Sequence, residues 1–389
     1  MNRLLARLTV WRGIFAVLML AGLYSTYLRV RYGLGGSTNL SDQFPWGLWI
    51  GFDILCGVGL AAGGFTLVAV VHIFNVERYR PILRPAILTA FLGYVLVVLA
   101  LLFDLGRPDR LWHPLVMWNP HSVMFEVAWC VTLYTTVLFL EFLPMVLERF
   151  GLHRPLGWLK SISVPLMIAG VILSTLHQSS LGTVYLIVPE KLYGLWYTPL
   201  LPLFFYLSAI SVGLAMTIFE SWHSSRAFGR QLELPLLAGM ARVLAVLLMV
   251  SLFVRFLDLL HRGALPLLLR NRTETWLYAL EILLAVVPML LLFQARIRRN
   301  AGALYGCAVL VVFSFIANRL NVSITGMEAG SGTHYLPKWT EVAITLSIIA
   351  AGFATFRVIA QYFPVFEAGE QTAEAVETEA TAGVRTGVG

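Results

Sequence analysis

Ten long apolar segments, separated by short polar stretches, occupy most of the chain. Each is close in length to the roughly 20 residues that an α-helix needs to cross a bilayer. Because most connections are short, consecutive helices are expected to lie antiparallel. The pattern predicts an all-α integral membrane protein with one polytopic domain, residues 1–362. The predicted spans are 11–28, 47–73, 85–104, 121–147, 160–179, 199–219, 235–257, 274–294, 301–317 and 339–361.

A weak internal repeat is visible in the acidic residues. Asp104 and Asp258 end spans three and seven, and Glu126 and Glu281 follow about one loop later in spans four and eight. The repeat runs in the same direction in both halves. It predicts two similar four-helix bundles, formed by spans 2–5 and 6–9 and flanked by spans 1 and 10.

The composition excludes an ordinary soluble globular protein. Hydrophobic residues make up 58% of the 389 residues and charged residues 13%, and the mean hydropathy is +0.78. The formal net charge of +7 fits arginine-rich loops beside anionic membrane lipid, so no nucleic-acid partner is predicted. Lys and Arg are more frequent before span one and after each even-numbered span, which places both termini in the cytoplasm. The acidic stretch 363–389 predicts a disordered cytoplasmic tail.

Cysteine and histidine usage argues against a metal site in this chain. Cys56, Cys130 and Cys307 lie in apolar segments and none belongs to a CxxC pair, so neither an iron–sulfur cluster nor a zinc site is predicted. A b-type haem in a helix bundle requires two histidines that face each other at matched depth, and no such pair emerges. A haem cytochrome remains the less favoured alternative.

Asp53 is the most informative polar residue. It lies about two turns into the segment FPWGLWIGFDILCGVGLAAGGFTLVAVV, which is otherwise apolar. An aspartate near the centre of a membrane helix costs about 2.5–3.5 kcal/mol, and somewhat less near an interface. The glycines and alanines that follow leave one flank small enough for close helix packing. Asp53 therefore predicts a functional site, with a satisfied interhelical hydrogen bond as the alternative.

Several other polar residues are predicted at the same outer depth. Glu126, His177, Asp104 and Arg107 each lie within about 10 Å of the outer helix ends. Histidine supplies a hydrogen-bond donor for a quinone carbonyl, and buried carboxyls hold the protons that quinone reduction needs. The sequence therefore predicts a quinone site, although Asp104 and Arg107 could simply pair to cap a loop. Its aromatic walls are predicted to be Trp46, Trp49, Trp112, Trp129 and Tyr185.

A proton route is predicted along span four. Glu141 follows Glu126 by 15 residues, which returns to within about 60° of the same helix face, and Tyr134 lies between them. Glu126, Tyr134 and Glu141 thus predict a ladder of protonatable groups from the inner side to the outer site. The alternative for Glu141 is an ion pair with Arg149 at the inner interface.

Four stretches resemble the NrfD/polysulfide reductase membrane subunit family. They are DQFPWGLWIGFDILCGVGLAAGGFTL, DLGRPDRLWHP with the following WNPHSVMFE, LHQSSLGTVY, and NRLNVS, which is interpreted as part of an outer loop. The resemblance is greatest to the HybB branch, the membrane subunit of quinone-reducing uptake nickel–iron hydrogenases. It implies menaquinone or ubiquinone bound near the periplasmic face, with no haem or iron–sulfur cluster in this chain. The positions that match the family's quinone and proton-handling residues are Asp53, Glu126, Glu141 and His177.

The resemblance also implies partners and a location. A periplasmic ferredoxin-like iron–sulfur subunit is expected to deliver electrons from the small and large hydrogenase subunits. The chain is expected in the bacterial inner membrane, where it would pass these electrons to quinone. Coupling of this transfer to proton movement across the membrane is a further hypothesis. Two alternatives remain: the same module in another respiratory oxidoreductase (polysulfide, nitrite or molybdopterin enzyme), or a secondary transporter, which buried charges and a repeat also permit.

Overall fold

The fold is an all-helical bundle, seen in a computed structural model that describes residues 10–73, 76–188 and 191–366. No strand occurs within these ranges, and the prediction of ten membrane-spanning helices is confirmed. The predicted disordered tail falls almost entirely on residues 367–389, outside the described ranges. The helices, in chain order, are α1 Val10–Ser37, α2 Trp49–Val71, α3 Arg78–Asp104, α4 Val123–Phe150, α5 Ser163–Ile187, α6 Leu201–Ala227, α7 Leu234–His261, α8 Thr273–Phe293, α9 Ala301–Ser331 and α10 Trp339–Tyr362.

Neighbouring helices pack in two groups of four. In the first group α2 packs on α3, α3 on α4, α4 on α5 and α5 on α2, and α6 to α9 repeat the same circuit. α1 packs along α10, and this pair lies against α3. α6 also packs on α2 and α5, so the two groups share a broad interface. The two separate bundles inferred from the acidic repeat stay a prediction.

Backbone contact between α2 and α6 joins the two groups. A Cβ atom placed on Gly213 of α6 would lie 2.9 Å from the backbone nitrogen of Gly63 in α2. On the other side of α2, a Cβ on Gly64 would lie 2.6 Å from the Cβ of Ala90 in α3. The small residues after Asp53 therefore let α2 run in close contact with helices on two sides, as their composition predicts.

α2 is not a regular helix. Its first segment, Trp49–Ile54, is a wide π-helical turn, and a tight turn at Ala61 and Ala62 separates the α-helical segments Leu55–Leu60 and Gly63–Val68. The amide of Ala62 bonds to the carbonyl of Gly59 across this turn, at 3.0 Å. No proline is involved, and no Gly-Pro pair marks the break in the sequence.

The interpretation of NRLNVS as an outer loop is wrong. Asn318 and Arg319 belong to the helix Ala301–Leu320, which continues as a π-helical turn over Asn321–Thr325. The segment is polar because its side chains bond inside the bundle. Nδ2 of Asn318 and Nδ2 of Asn321 both donate to the Glu281 carboxylate of α8, at 2.8 and 3.0 Å.

Candidate functional site

A cavity of about 1170 Å³ lies among α2, α3, α4 and α5 at the end predicted to face outwards, called the outer end below. The segment 105–122, which joins α3 to α4, forms its outer wall. Of the predicted site residues, Arg107 and Tyr185 line it, and Trp46 and Trp112 line it as predicted aromatic walls. Apolar side chains of α3 and α4 form most of the remaining surface, so the cavity has a polar rim and an apolar body.

Trp129 holds the outer wall in place. Its indole Nε1 donates to the carbonyl of Pro114 at 2.8 Å, and its ring packs against Trp118 at 4.9 Å between centroids. Pro114 lies in the short helix His113–Val116, which is thereby attached to α4. Trp129 thus acts behind the cavity wall and does not line the cavity.

Arg107 pairs within its own loop. Its guanidinium contacts the carboxylate of Asp109 at 3.2 Å, with both side chains exposed. The hydrogen bond from Arg107 lowers the pKa of Asp109 below its ordinary value. The pairing of Arg107 with Asp104 that was considered from the sequence is therefore not formed.

Tyr185 joins the cavity to the interior of the protein. Its ring is buried, makes an edge contact with Trp46 at 5.7 Å between centroids, and contacts Phe205 of α6 at 6.3 Å. Its hydroxyl is buried and has no hydrogen-bond partner among the described residues. A buried hydroxyl without a partner costs about 1–3 kcal/mol of stability, so the position of Tyr185 is unusual for a residue that only packs.

Behind the cavity lies a column of four protonatable side chains, here called the polar column: His177, Tyr94, Tyr134 and Glu141. The ring centroids of His177 and Tyr94 lie 5.8 Å apart, and those of Tyr94 and Tyr134 lie 4.7 Å apart. Gly170 of α5 faces the inner end, where an added Cβ would lie 3.6 Å from Glu141 Oε1 and 3.9 Å from the Tyr134 ring. The column therefore runs continuously through α3, α4 and α5.

The polar atoms of this column are buried and unsatisfied within the part of the chain that the structure describes. Both nitrogens of His177 and Oε1 of Glu141 have no hydrogen-bond partner, and the hydroxyls of Tyr94 and Tyr134 face Gln178 and Ser174 without a bond of ordinary hydrogen-bond geometry. The alternative of an ion pair between this Glu141 oxygen and Arg149 therefore does not apply. Buried polar groups are normally hydrogen-bonded, so this run of atoms departs from ordinary packing between helices.

Glu126 lies at the outer end of α4 beside this column. It is exposed, and its Oε1 accepts a hydrogen bond from Ser180 of α5 at 2.5 Å. Gln178 of α5, fully buried, donates to the carbonyl of Val58 in the interrupted part of α2 at 3.2 Å. Its Oε1 has no partner among the described residues.

Asp53, Trp49 and Asp104 face away from the cavity, towards α1 and α10. Asp53 Oδ2 accepts a hydrogen bond from Thr345 of α10 at 2.7 Å, and the indole of Trp49 donates to the carbonyl of Glu341 at 3.3 Å. The Asp53 contact is the satisfied interhelical bond that was the alternative reading of this residue. Their role in binding a quinone stays a prediction, and none of the three lines the cavity that Arg107 and Tyr185 line.

Arg29 of α1 closes the end of α3 next to Asp104. Its guanidinium donates to the carbonyls of Phe103 and Leu105, each at 2.8 Å. Oδ1 of Asp104 is buried without a hydrogen-bond partner in the described ranges.

Glu341 completes this outer group. Its carboxylate accepts from the Tyr335 hydroxyl at 2.5 Å and from the amide of Lys338 at 2.8 Å. Burial, together with the hydrogen bond to this carboxylate, raises the pKa of Tyr335 above its ordinary value.

Sequence reasoning missed several neighbours of the predicted residues and placed His177 too close to the end of α5, which continues to Ile187. Tyr94 gave no signal because a single tyrosine is common in a membrane helix. Ser180 and Gln178 follow His177 in the quoted run LHQSSLGTVY, so the polar face of that run was the available indication. Thr345 was missed because a threonine in an apolar helix carries no charge.

A different polar network lies in the second group of helices. The Glu281 carboxylate of α8 accepts from Arg255 of α7 and from the indole of Trp196 at 3.0 Å, besides the two asparagines of α9. Asp258 accepts from Thr198 at 2.7 Å and pairs with Arg262 at 2.8 Å. Both acids that correspond to Asp104 and Glu126 in the repeat are thus neutralised.

The described residues show no arrangement that fits a metal ion or a haem. The described residues contain no group of three His, Cys, Asp or Glu side chains placed to hold a metal. Of the histidines whose side chains are described, only His177 is buried. The two facing histidines that a b-type haem needs are therefore not found among them. The expectation that the chain carries no haem stays a prediction.

The chain matches known membrane proteins over most of its length. Residues 36–329 match the family model Polysulphide reductase, NrfD. A relative from Nitratidesulfovibrio vulgaris (strain Hildenborough) is 37% identical over 362 residues, covering 90% of this chain and 93% of its own length. A relative from Escherichia coli (strain K12), named "Probable Ni/Fe-hydrogenase 2 b-type cytochrome subunit", is 32% identical, covering 90% of this chain and 91% of its own.

A further relative from Nitratidesulfovibrio vulgaris is named "Menaquinone reductase, integral membrane subunit". It is 30% identical over 393 residues, covering 93% of each chain. These matches confirm the resemblance drawn from the four sequence stretches. The chain is a multi-pass membrane protein that belongs to the polysulphide reductase NrfD family.

Proposed function

We propose that the chain is the quinone-reactive membrane subunit of a respiratory oxidoreductase. The names of two relatives, a hydrogenase cytochrome subunit and a menaquinone reductase membrane subunit, support this class of function. The observation that carries the proposal is the cavity of about 1170 Å³ at the outer end, with a polar rim and an apolar body. A quinone has the same two parts, a ring with two carbonyls and an isoprenoid tail.

The rim supplies hydrogen-bond donors for the quinone ring. The buried Tyr185 hydroxyl has no partner of its own among the described residues, and the guanidinium of Arg107 lines the same cavity. Both groups donate to carbonyl oxygens, and their bonds strengthen as negative charge develops on those oxygens during reduction. Trp46 and Trp112 enclose the ring and exclude water from it.

The polar column supplies protons. Reduction of a quinone to a quinol takes up two electrons and two protons, one proton on each carbonyl oxygen. Electrons would come from an iron–sulfur cluster of a partner subunit. Glu141, Tyr134, Tyr94 and His177 form the chain of protonatable groups along which protons reach the cavity from the inner side, with Glu126 and Ser180 at the outer end.

The specific enzyme we propose is a periplasmic nickel–iron uptake hydrogenase. Its ferredoxin-like iron–sulfur subunit would dock at the outer end and connect the small and large hydrogenase subunits to this chain. The distribution of Lys and Arg supports both termini in the cytoplasm and the cavity rim near the periplasmic face of the inner membrane. Menaquinone and ubiquinone both match the chemistry of the cavity.

Extraction of the chain in mild detergent tests the proposal. Nickel–iron and iron–sulfur subunits in the same complex, with hydrogen-dependent quinone reduction, are the expected result. A different periplasmic reductase in the complex would retain the quinone function and replace the hydrogenase. A chain that elutes alone and binds no quinone would overturn the proposal and favour a transporter.

A further inference from the structure

The cavity extends well below its polar rim as a groove between α3 and α4. On α4 the lining residues run from Met124 to Phe139, which is about 22 Å along the helix axis. On α3 they run from Leu101 to Phe91, about 15 Å. Small-molecule sites usually measure about 300–1,000 Å³. A cavity of 1170 Å³ is therefore larger than a quinone ring requires.

The groove is apolar even where threonines line it. The hydroxyl of Thr132 bonds to the carbonyl of Ala128 at 2.8 Å, and that of Thr136 bonds to the carbonyl of Thr132 at 2.9 Å. These hydroxyls are satisfied by their own helix, so neither is left as a free hydrogen-bond donor in the groove. Thr135 differs, since its hydroxyl is buried and unpartnered among the described residues.

One end of the groove is closed and one side is open. Phe91 closes the inner end, with its ring 5.9 Å from that of Phe139 and 5.3 Å from that of Phe142. Thr132 and Thr136 line the groove and are also exposed on the lipid-facing surface. A long apolar molecule can therefore enter sideways from the bilayer and lie along the groove with its end against Phe91.

We infer that this groove binds the isoprenoid tail of the quinone whose ring occupies the rim. The inference rests on the proposed function and adds the part of the substrate that the rim does not contact. The groove is continuous with the cavity that Tyr185 and Arg107 line, so one molecule with a polar head and an apolar tail fills both. The tail then contributes affinity by burying apolar surface, and the rim provides the chemistry.

A matched pair of tryptophan substitutions tests the groove. Thr132→Trp fills it halfway down, whereas Leu133→Trp adds the same ring at the next position, which is equally exposed and does not line the groove. The ligands are a long-tailed menaquinone and the same naphthoquinone ring without a tail. Their binding to the purified complex is measured by quenching of its tryptophan fluorescence.

The groove predicts a loss that is selective for the tail. Thr132→Trp is expected to weaken binding of the long-tailed quinone by ~10-fold or more, since several buried CH₂ groups lose their contacts. Binding of the tailless ring is expected to stay the same, and Leu133→Trp is expected to change neither. Thr136→Trp, one turn deeper in the groove, is a second test variant. We expect it to weaken binding of the long-tailed quinone selectively, and to affect a quinone with a single isoprenoid unit less than Thr132→Trp does.

Three outcomes would overturn the inference. The first is that Thr132→Trp weakens binding of the long-tailed and the tailless quinone equally. The second is that Thr132→Trp and Leu133→Trp bind the long-tailed quinone with equal affinity. The third is that a phospholipid competes for the groove as strongly as menaquinone does. Quinone binding is measured separately from quinone reduction. If the complex binds the long tail selectively but never reduces quinone, the proposed function is refuted and the inference about the groove is retained.

Discussion

The two groups of four helices contain acids at corresponding positions but surround them differently. In α6–α9, Glu281 faces Arg255 and three further donors, and Asp258 faces Arg262. In α2–α5, Glu126 accepts one hydrogen bond from a serine, and one oxygen of Asp104 has no partner in the described ranges. The same positions therefore hold paired carboxylates that join helices in one group and carboxylates with few partners in the other.

The unsatisfied atoms are distributed in the same uneven way. Within the described residues, Tyr278 and Arg319 are the members of α6–α9 that have buried polar atoms without partners, whereas α3, α4 and α5 contain a run of them. Each such atom costs about 1–3 kcal/mol. Sequences break local rules of this kind mainly at functional sites, which supports placing the chemistry in α2–α5.

The largest difference between the two groups is expected in stability. Glu281→Leu leaves Arg255 buried without its carboxylate, which should cost about 3–5 kcal/mol. Glu126→Leu removes an exposed carboxylate with one bond, so a loss of less than about 1 kcal/mol is expected. Thermal unfolding of the detergent-solubilised protein measures both. Similar unfolding midpoints for the two variants would contradict the claim that the paired acids of α6–α9 contribute more to stability than the acids of α2–α5.

His177 should show the opposite behaviour to Glu281. Because neither of its ring nitrogens has a partner among the described residues, His177→Leu is expected to leave the unfolding midpoint unchanged or raised. Loss of a proton-transfer group should lower kcat for quinone reduction by about 100-fold or more. The matched control is His223→Leu in α6, an exposed histidine bonded to Tyr305, for which full activity is expected. Full activity of His177→Leu would exclude it from the proton route.

Glu141 tests whether the polar column carries protons from the inner side. Glu141→Gln is expected to slow turnover by ~10-fold or more and to lower the membrane potential generated in proteoliposomes. Glu148→Gln, two turns further along α4, removes a pair with Arg84 outside the column and should leave both unchanged. An unchanged potential at an unchanged rate in Glu141→Gln would remove this residue from the route.

The smallest effect is expected at Arg107, at the exposed rim. Its pair with Asp109 is exposed on both sides, so Arg107→Gln should not move the unfolding midpoint measurably. Arg107 lowers the pKa of Asp109, so the favourable effect of the pair is present above the ordinary carboxyl pKa and is lost as the pH falls through the lowered value. KM for quinone is expected to rise about threefold because one carbonyl loses a donor. An unchanged KM would mean that Arg107 does not contribute to quinone binding and only pairs with Asp109 in its loop.

Depth along the membrane could be predicted from the sequence, whereas direction around each helix could not. Counting residues placed Asp53, Glu126 and Asp104 near the outer helix ends, because every helical residue advances by 1.5 Å. His177 lies deeper than predicted, since α5 continues to Ile187, about 15 Å beyond it. The direction in which Asp53 points depends on the π-helical turn over Trp49–Ile54, which departs from 3.6 residues per turn. Hydropathy does not contain that information, so the contact with Thr345 was not predictable.

Polar stretches were the second source of error. The run from Asn318 to Asn321 was interpreted as a loop because it contains few apolar residues. It can be helical inside the bundle because Glu281 satisfies its polar side chains. Glu281 lies on another helix, 37 or more residues away in sequence. A single sequence gives the polarity of a residue but not the distant group that satisfies it. The same limitation concealed Tyr94, whose importance comes from its contacts with Tyr134 and His177.

The π-helical turn at the start of α2 has a consequence for how the family can change by insertion and deletion. Removing one residue within Trp49–Ile54 would return the turn to α-helical spacing and rotate the preceding residues by about 100° relative to the rest of α2. Trp46 would then move away from the cavity rim, while the length, net charge and mean hydropathy of the chain would hardly change. A related sequence with a one-residue gap within Trp49–Ile54 therefore belongs to a protein whose cavity rim has a different shape. Residues aligned before the gap point in different directions in the two proteins.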